Sequence, residues 1–95
     1  MENVVITAVL SSKPGMEESL YKVLQKVVEP SRNEEGCMTY QLHQSLDDVG
    51  TFIFYEIWKN EEAVQSHIMS EHYKAYREQA ESLIETRHVY RMKMV

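Results

Sequence analysis

The sequence predicts an α+β domain of ferredoxin-like order, β-α-β-β-α-β, with a four-stranded antiparallel sheet and helices on one face. Three observations carry this. Four short segments are β-branched or alternate with a period of two. Two segments between them repeat apolar residues every three and four positions. Turn and capping residues stand at the joins.

Asn3 to Leu10 (NVVITAVL) is the first strand, and Pro14-Gly15 is its turn. Met16, Leu20, Leu24 and Val27/Val28 then mark one face of a helix. Glu17 and Glu18 stand at its start, where acids complement the helix dipole. Pro30 disturbs the last turn, and Gly36 closes the segment. From Cys37 to Ser45, Met38, Tyr40 and Leu42 alternate with Thr39, Gln41 and His43, which predicts the second strand. Leu46 to Gly50 is a hairpin loop. Thr51 to Trp58 (TFIFYEIW) is apolar on both faces, as a central strand must be. Asn60 is placed to cap a helix opening with Glu61-Glu62. Ser70 caps a further piece, in which Tyr73, Tyr76, Ala80, Leu83 and Ile84 keep helical spacing. Arg87 to Met94 alternates again and forms the last strand.

Helices on one face leave the other face open, with Val5, Thr7, Val9, Ile53, Tyr55 and Ile57 upon it. That is a large apolar patch for a monomer, and a homodimer packed sheet to sheet would cover it.

The chain has 95 residues, which makes a single domain over 1–95. Its net charge of -5 is the wrong sign for a nucleic-acid or membrane-surface partner. Gly50-Thr51-Phe52-Ile53-Phe54 only faintly echoes the aromatic strand of an RNA recognition motif, with Val49 where a basic residue should stand. No run is long enough to span a membrane, and Glu2 stands where a secretion signal would carry positive charge. A single cysteine, Cys37, permits no internal disulfide. The expectation is a cytoplasmic protein. Neither paired-cysteine nor HxH or HExxH spacing is present, so no metal and no cofactor is expected. No nucleophile elbow is present either, and Cys37 reads as a small core residue.

The chemistry-bearing run is Phe52 to Tyr76. If Ile53, Tyr55 and Ile57 face a partner, then Phe52, Phe54, Glu56 and Trp58 face the helices. His67 follows Ala63 and Val64 on an inward stripe, and His72, Tyr73 and Tyr76 begin the next helix on the same side. A carboxylate, an indole, imidazoles and phenols converging between sheet and helices make a pocket for an aromatic or polycarbonyl molecule. The bland alternative is that the aromatics are core and the polar groups are caps or surface. His43 and His88 read as solvated strand residues.

Lys13-Pro14-Gly15, Glu34-Glu35-Gly36-Cys37 and Phe54-Tyr55-Glu56-x-Trp58 resemble the antibiotic biosynthesis monooxygenase family. Ala63, His67, Ser70, His72 and Tyr73 match its A-x3-H-x2-S-x-H-aromatic signature. The resemblance implies a dimeric ferredoxin-like α+β barrel with one pocket per subunit. Some members oxygenate quinols or anthrones with dioxygen and without metal or flavin. On that reading His72 or His67 is the base, and Trp58 is a flat wall. Tyr40 or Tyr76 donates to the developing anion, while Glu56, Phe54 and Tyr73 complete the pocket. A haem-degrading branch is set aside, because its strand-one Asn and helix His fall on Ala8 and near Arg77. Two alternatives stay open. One is an isomerase of a small phosphorylated autoinducer-type sugar, which shares the pieces near Glu62, His72 and Ser82. The other is a non-catalytic small-molecule-binding or stress protein.

Overall fold

The computed structural model describes residues 2–95; Met1 lies outside them. In chain order come β1 (Val4–Ser12), α1 (Glu17–Arg32), β2 (Cys37–Gln44), β3 (Thr51–Trp58), α2 (Glu61–Ile68), α3 (Glu71–Ala80), a 3-10 turn (Glu81–Leu83) and β4 (Ile84–Met92). The strands form one antiparallel sheet in the order β2-β3-β1-β4, so the fold is the expected ferredoxin-like one. The two central strands are the two most apolar segments.

The caps act where the sequence puts them. The Asn60 side chain accepts the Ala63 N–H at 2.8 Å, and Ser70 Oγ accepts the Tyr73 N–H at 3.2 Å. Several boundaries differ from expectation: β1 runs Val4–Ser12 rather than Asn3 to Leu10, and β4 runs Ile84–Met92 rather than Arg87 to Met94. α1 continues through Pro30 to Arg32, and the last helix stops at Ala80. Leu83 and Ile84 keep helical spacing but sit in the 3-10 turn and at the head of β4. Both pack against the core from there, so their apolarity serves either geometry.

Strand alternation sorts the sheet into two faces. Ile6, Ala8 and Leu10 of β1 join Phe52, Phe54, Glu56 and Trp58 of β3 beneath the helices. Leu20, Leu24 and Val27 of α1 close that core. Each leucine, isoleucine, valine and phenylalanine of this set contributes about 1.5–3 kcal/mol by leaving water. Across the opposite face the register gives three rows. They are Thr39-Ile57-Val5-Met92, Gln41-Tyr55-Thr7-Tyr90 and His43-Ile53-Val9-His88. No helix lies over these rows among the described residues, and the molecule is 18 Å thick along its shortest axis. No helix is long and apolar enough to cross a membrane.

Candidate functional site

A cavity of about 100 Å³ lies between the inner sheet face and helices α2 and α3. Ile6, Ala8, Phe54, Val64 and Val89 make it apolar, and Tyr40 closes one side. Glu56, His67, Tyr73, Tyr76 and Arg87 bring polar atoms to it. Three of those atoms are buried without a partner at strict hydrogen-bond geometry: His67 Nε2, and the Tyr76 hydroxyl and Arg87 Nε, which belong to side chains close enough to interact with each other. Buried polar atoms are nearly always paired, and each exception costs about 1–3 kcal/mol. Here one acceptor and two donors border the same apolar space, the provision a site makes for a polar group on an otherwise apolar ligand.

His67 owes its place to α2. The Asn60 cap sets the helix phase, which turns Val64 and His67 inward. The imidazole lies on the Trp58 indole, with centroids 4.5 Å apart and planes tilted by 34°. Tyr73 and Tyr40 meet it edge-on at 4.9 Å and 5.5 Å. Its Nδ1 stands 2.7 Å from Glu34 Oε2, and the same oxygen is 2.6 Å from His72 Nε2. Burial holds the His67 pKa below the ordinary imidazole value, and the Glu34 hydrogen bond opposes that shift without cancelling it. His67 is therefore neutral at neutral pH. Because Nδ1 donates to a carboxylate, Nε2 is left with its lone pair.

Glu56 is the second titratable group on the cavity. Burial pushes its pKa up to about 7, helped by the nearby Glu34 charge and opposed by the Trp58 N–H and by Arg87. The Trp58 indole donates to Glu56 Oε1 at 2.8 Å. Arg87 enters from β4 and donates to the Tyr73 hydroxyl at 3.1 Å. Burial raises the Tyr76 pKa, against the pull of the Arg87 charge, so this phenol stays a donor.

His67, Glu56, Tyr40, Phe54, Tyr73 and Tyr76 meet at the cavity. Trp58 and His72 do not line it. Trp58 is fully buried behind His67 and reaches the site only through the His67 ring it packs on and the Glu56 carboxyl it holds, so it is no exposed wall. His72 sits beyond Glu34, its side chain 23% exposed. Glu34 and Arg87 carry parts of the site that sequence reasoning did not assign them. The Glu34 signal lay in the Glu34-Glu35-Gly36-Cys37 match. Arg87, Val89 and Arg91 share one phase of β4, but alternation alone does not say which phase faces inward. Cys37 is half-buried, its thiol pushed up to about 11 mainly by burial, which leaves it protonated and inert.

Glu34, His67 and His72 are the one group of three such side chains among the described residues whose donor atoms lie within 4.8 Å of one another. Separations of 2.6 and 2.7 Å are those of hydrogen bonds. Two donors on one zinc ion stand ~3.3 Å apart, from metal–ligand bonds of about 2.0–2.1 Å. The arrangement present is thus a carboxylate shared by two imidazoles.

Comparison with known proteins finds relatives of this chain and of its fold. A solved structure from Pseudomonas aeruginosa, PA3566, superposes with a TM-score of 0.96 at 28% identity, over 100% of this chain and 96% of that one. The Bacillus subtilis protein named "Putative monooxygenase YcnE" is 32% identical over 73 residues, which is 77% of each chain. The Synechocystis sp. protein sll1783 is 27% identical over 81 residues; the match covers 85% of this chain and 55% of that longer protein. Residues 3–79 match the antibiotic biosynthesis monooxygenase family, a stretch that holds Glu34, Glu56, His67, His72, Tyr73 and Tyr76 but stops short of Arg87 on β4. With the fold, the paired histidines and the aromatic cavity on that matched stretch, the chain belongs to the antibiotic biosynthesis monooxygenase family.

Proposed function

We propose that this protein is a cofactor-independent monooxygenase, acting as a homodimer, that oxidises a small quinol- or anthrone-type molecule with dioxygen. The observation that carries the reading is the cavity's unpaired set: a neutral imidazole nitrogen facing inward beside the Tyr76 and Arg87 donors. Triplet dioxygen reacts slowly with closed-shell molecules, but an aromatic enolate or phenolate can give it an electron. A base, a dry wall and donors for the anion therefore suffice.

His67 Nε2 takes the acidic proton of the substrate. Tyr76 and Arg87 hold the resulting oxyanion. Electron transfer to dioxygen and radical recombination form a carbon–oxygen bond and then a hydroperoxide. Loss of the remaining C–H proton drives cleavage of the O–O bond. Glu56, half protonated near neutral pH, supplies a proton to the departing hydroxide. A methylene and dioxygen become a carbonyl and water, and the substrate supplies all the electrons.

A cavity of about 100 Å³ is smaller than the roughly 150 Å³ apolar cavity that admits benzene. A fused-ring substrate enters by displacing wall residues. Arg91 is the readiest to move, since it is half-exposed and tied only to the exposed Glu61.

The test is dioxygen uptake with a panel of anthrones and dihydroxynaphthalenes under ¹⁸O₂. The expected result is one labelled atom in the organic product and one in water. A protein that leaves the whole panel untouched but isomerises a phosphorylated sugar is an isomerase. One that binds an aromatic compound and turns nothing over is a binding module. Either result replaces this reading.

A further inference from the structure

We propose that Glu34 is a positioning residue for His67, and that His72 acts through Glu34 rather than on substrate. Part of this rests on the function proposed above, since it takes His67 as the base. The local chemistry stands without it.

The observation is a single carboxylate oxygen, Glu34 Oε2, lying 2.7 Å from His67 Nδ1 and 2.6 Å from His72 Nε2. The three side chains are 15%, 3% and 23% exposed in the order Glu34, His67, His72, so the carboxylate separates a sealed imidazole from one at the surface. A carboxylate accepts and does not donate, so it fixes the proton of His67 on Nδ1. The lone pair then falls on Nε2, the buried atom with no partner that borders the cavity. With the opposite tautomer, Nε2 would carry a hydrogen and His67 could take no proton from a substrate. When His67 does take that proton, an imidazolium forms where water cannot reach it. Glu34 is the negative charge beside it, and pairing the two offsets the cost of the buried cation. His72 donates to the same oxygen from outside and restrains the carboxylate's rotation.

The backbone fixes Glu34 with equal care. Its N–H donates to the Ser31 carbonyl at 3.1 Å, and its own carbonyl accepts the Cys37 N–H at 3.1 Å. Two residues on, the Gly36 carbonyl accepts the Lys59 N–H at 2.9 Å. The segment is thus tied to the end of α1, the start of β2 and the end of β3. A side chain 33 positions away from His67 in sequence is delivered to its ring.

The tautomer is read directly. In uniformly ¹⁵N-labelled protein at neutral pH, two-bond proton–nitrogen correlations should give His67 a protonated Nδ1 and a bare Nε2. This needs no substrate and no variant, so it can fail while the oxygenase reading stands, and the reverse. In Glu34→Ala the His67 signals should move to a mixture of tautomers. On a substrate that is turned over, kcat should fall about 10²-fold with KM within about threefold. Glu34→Asp should keep the tautomer and recover part of kcat, a rescue that a merely structural role would not require. A bare Nδ1 on His67 in the unmodified protein overturns the proposal. So does a Glu34→Ala variant with unchanged tautomer and unchanged kcat. Calorimetric titration of the unmodified protein with Zn²⁺ or Fe²⁺ alone should give no tight binding. One ion bound per chain, lost in Glu34→Ala, would make the cluster a metal centre and overturn it as well.

Discussion

Glu56 is a carboxylic acid closed inside a protein, 6% exposed, with a pKa pushed up to about 7. The unfolded chain loses that proton near pH 4.5, the ordinary value for a glutamate. Between those values the folded chain holds a proton that the unfolded chain has released. Stability therefore falls as pH rises through this window, and the loss is complete above pH 7. The shift corresponds to about 3 kcal/mol, as an order of magnitude. Glu56→Gln keeps an oxygen for the Trp58 N–H and removes the titration. It should match the parent near pH 4.5 and exceed it by about 1–3 kcal/mol at pH 8. Urea unfolding of the pair at the two pH values checks this. A constant difference between them would mean that Glu56 titrates in the folded protein as it does in the unfolded chain. His67 acts in the opposite sense. Its folded pKa lies below its unfolded one, so it contributes a loss of stability as pH falls below about 6.5. The same burial that makes each group a cost in its charged form favours neutral His67 and a protonated fraction of Glu56 near neutral pH.

Among the elements, the contact of the Glu34–Gly36 segment with α2 determines whether the site exists. A Cβ built on Gly36 would lie 2.3 Å from Ala63 Cβ and 3.4 Å from Ala63 Cα. Neither atom is the end of a flexible chain, so α2 itself would have to give way. Gly36→Ala should cost about 1–3 kcal/mol, the usual penalty for overpacking. It should also lengthen the Glu34–His67 hydrogen bond, because Ala63 and His67 share one turn of α2. Chemical denaturation reads the first effect and the His67 tautomer reads the second. An unchanged midpoint would show that the two segments are not in hard contact.

This contact also explains what the sequence could and could not disclose. The strands, the caps at Asn60 and Ser70 and the inward set of Phe54, Glu56 and Trp58 follow from local pattern. Period and capping chemistry act within a few residues. The pairing of Glu34 with His67 arises where the connection between α1 and β2 meets α2, and no local rule reports it. His72 and Trp58 looked like pocket residues because spacing gave them the right side of their elements. Depth and the neighbours in between decided otherwise: Trp58 lies too deep, and His72 lies behind Glu34. The inward phase of β4, and with it Arg87, depended on the register against β1, where Leu10 pairs with Arg87.

At the scale of the whole molecule, the fold has one covered sheet face and one open. The open rows carry Val5, Ile57 and Met92, then Tyr55 and Tyr90, then Ile53 and Val9, with Tyr90 52% and Met92 49% exposed. An open sheet face with apolar residues in every row is the reason to expect sheet-to-sheet pairing of two chains. Sedimentation at micromolar concentration should give about twice the 11.2 kDa chain mass. Ile53→Lys should give single chains, since an unpaired charge in an apolar interface costs several kcal/mol. A parent protein that sediments as one chain would remove the dimer from the account and leave the cavity, which a single chain encloses.

On the function proposed, His67, not the more exposed His72, takes the substrate's proton. Initial rates of dioxygen uptake by His67→Ala and His72→Ala, measured in parallel on one active compound, test it most directly. His67→Ala should lose about 10²–10⁴-fold, the worth of a general base. His72→Ala should lose no more than about tenfold, because Glu34 still holds the ring of His67. Full activity in His67→Ala beside a large loss in His72→Ala would contradict it.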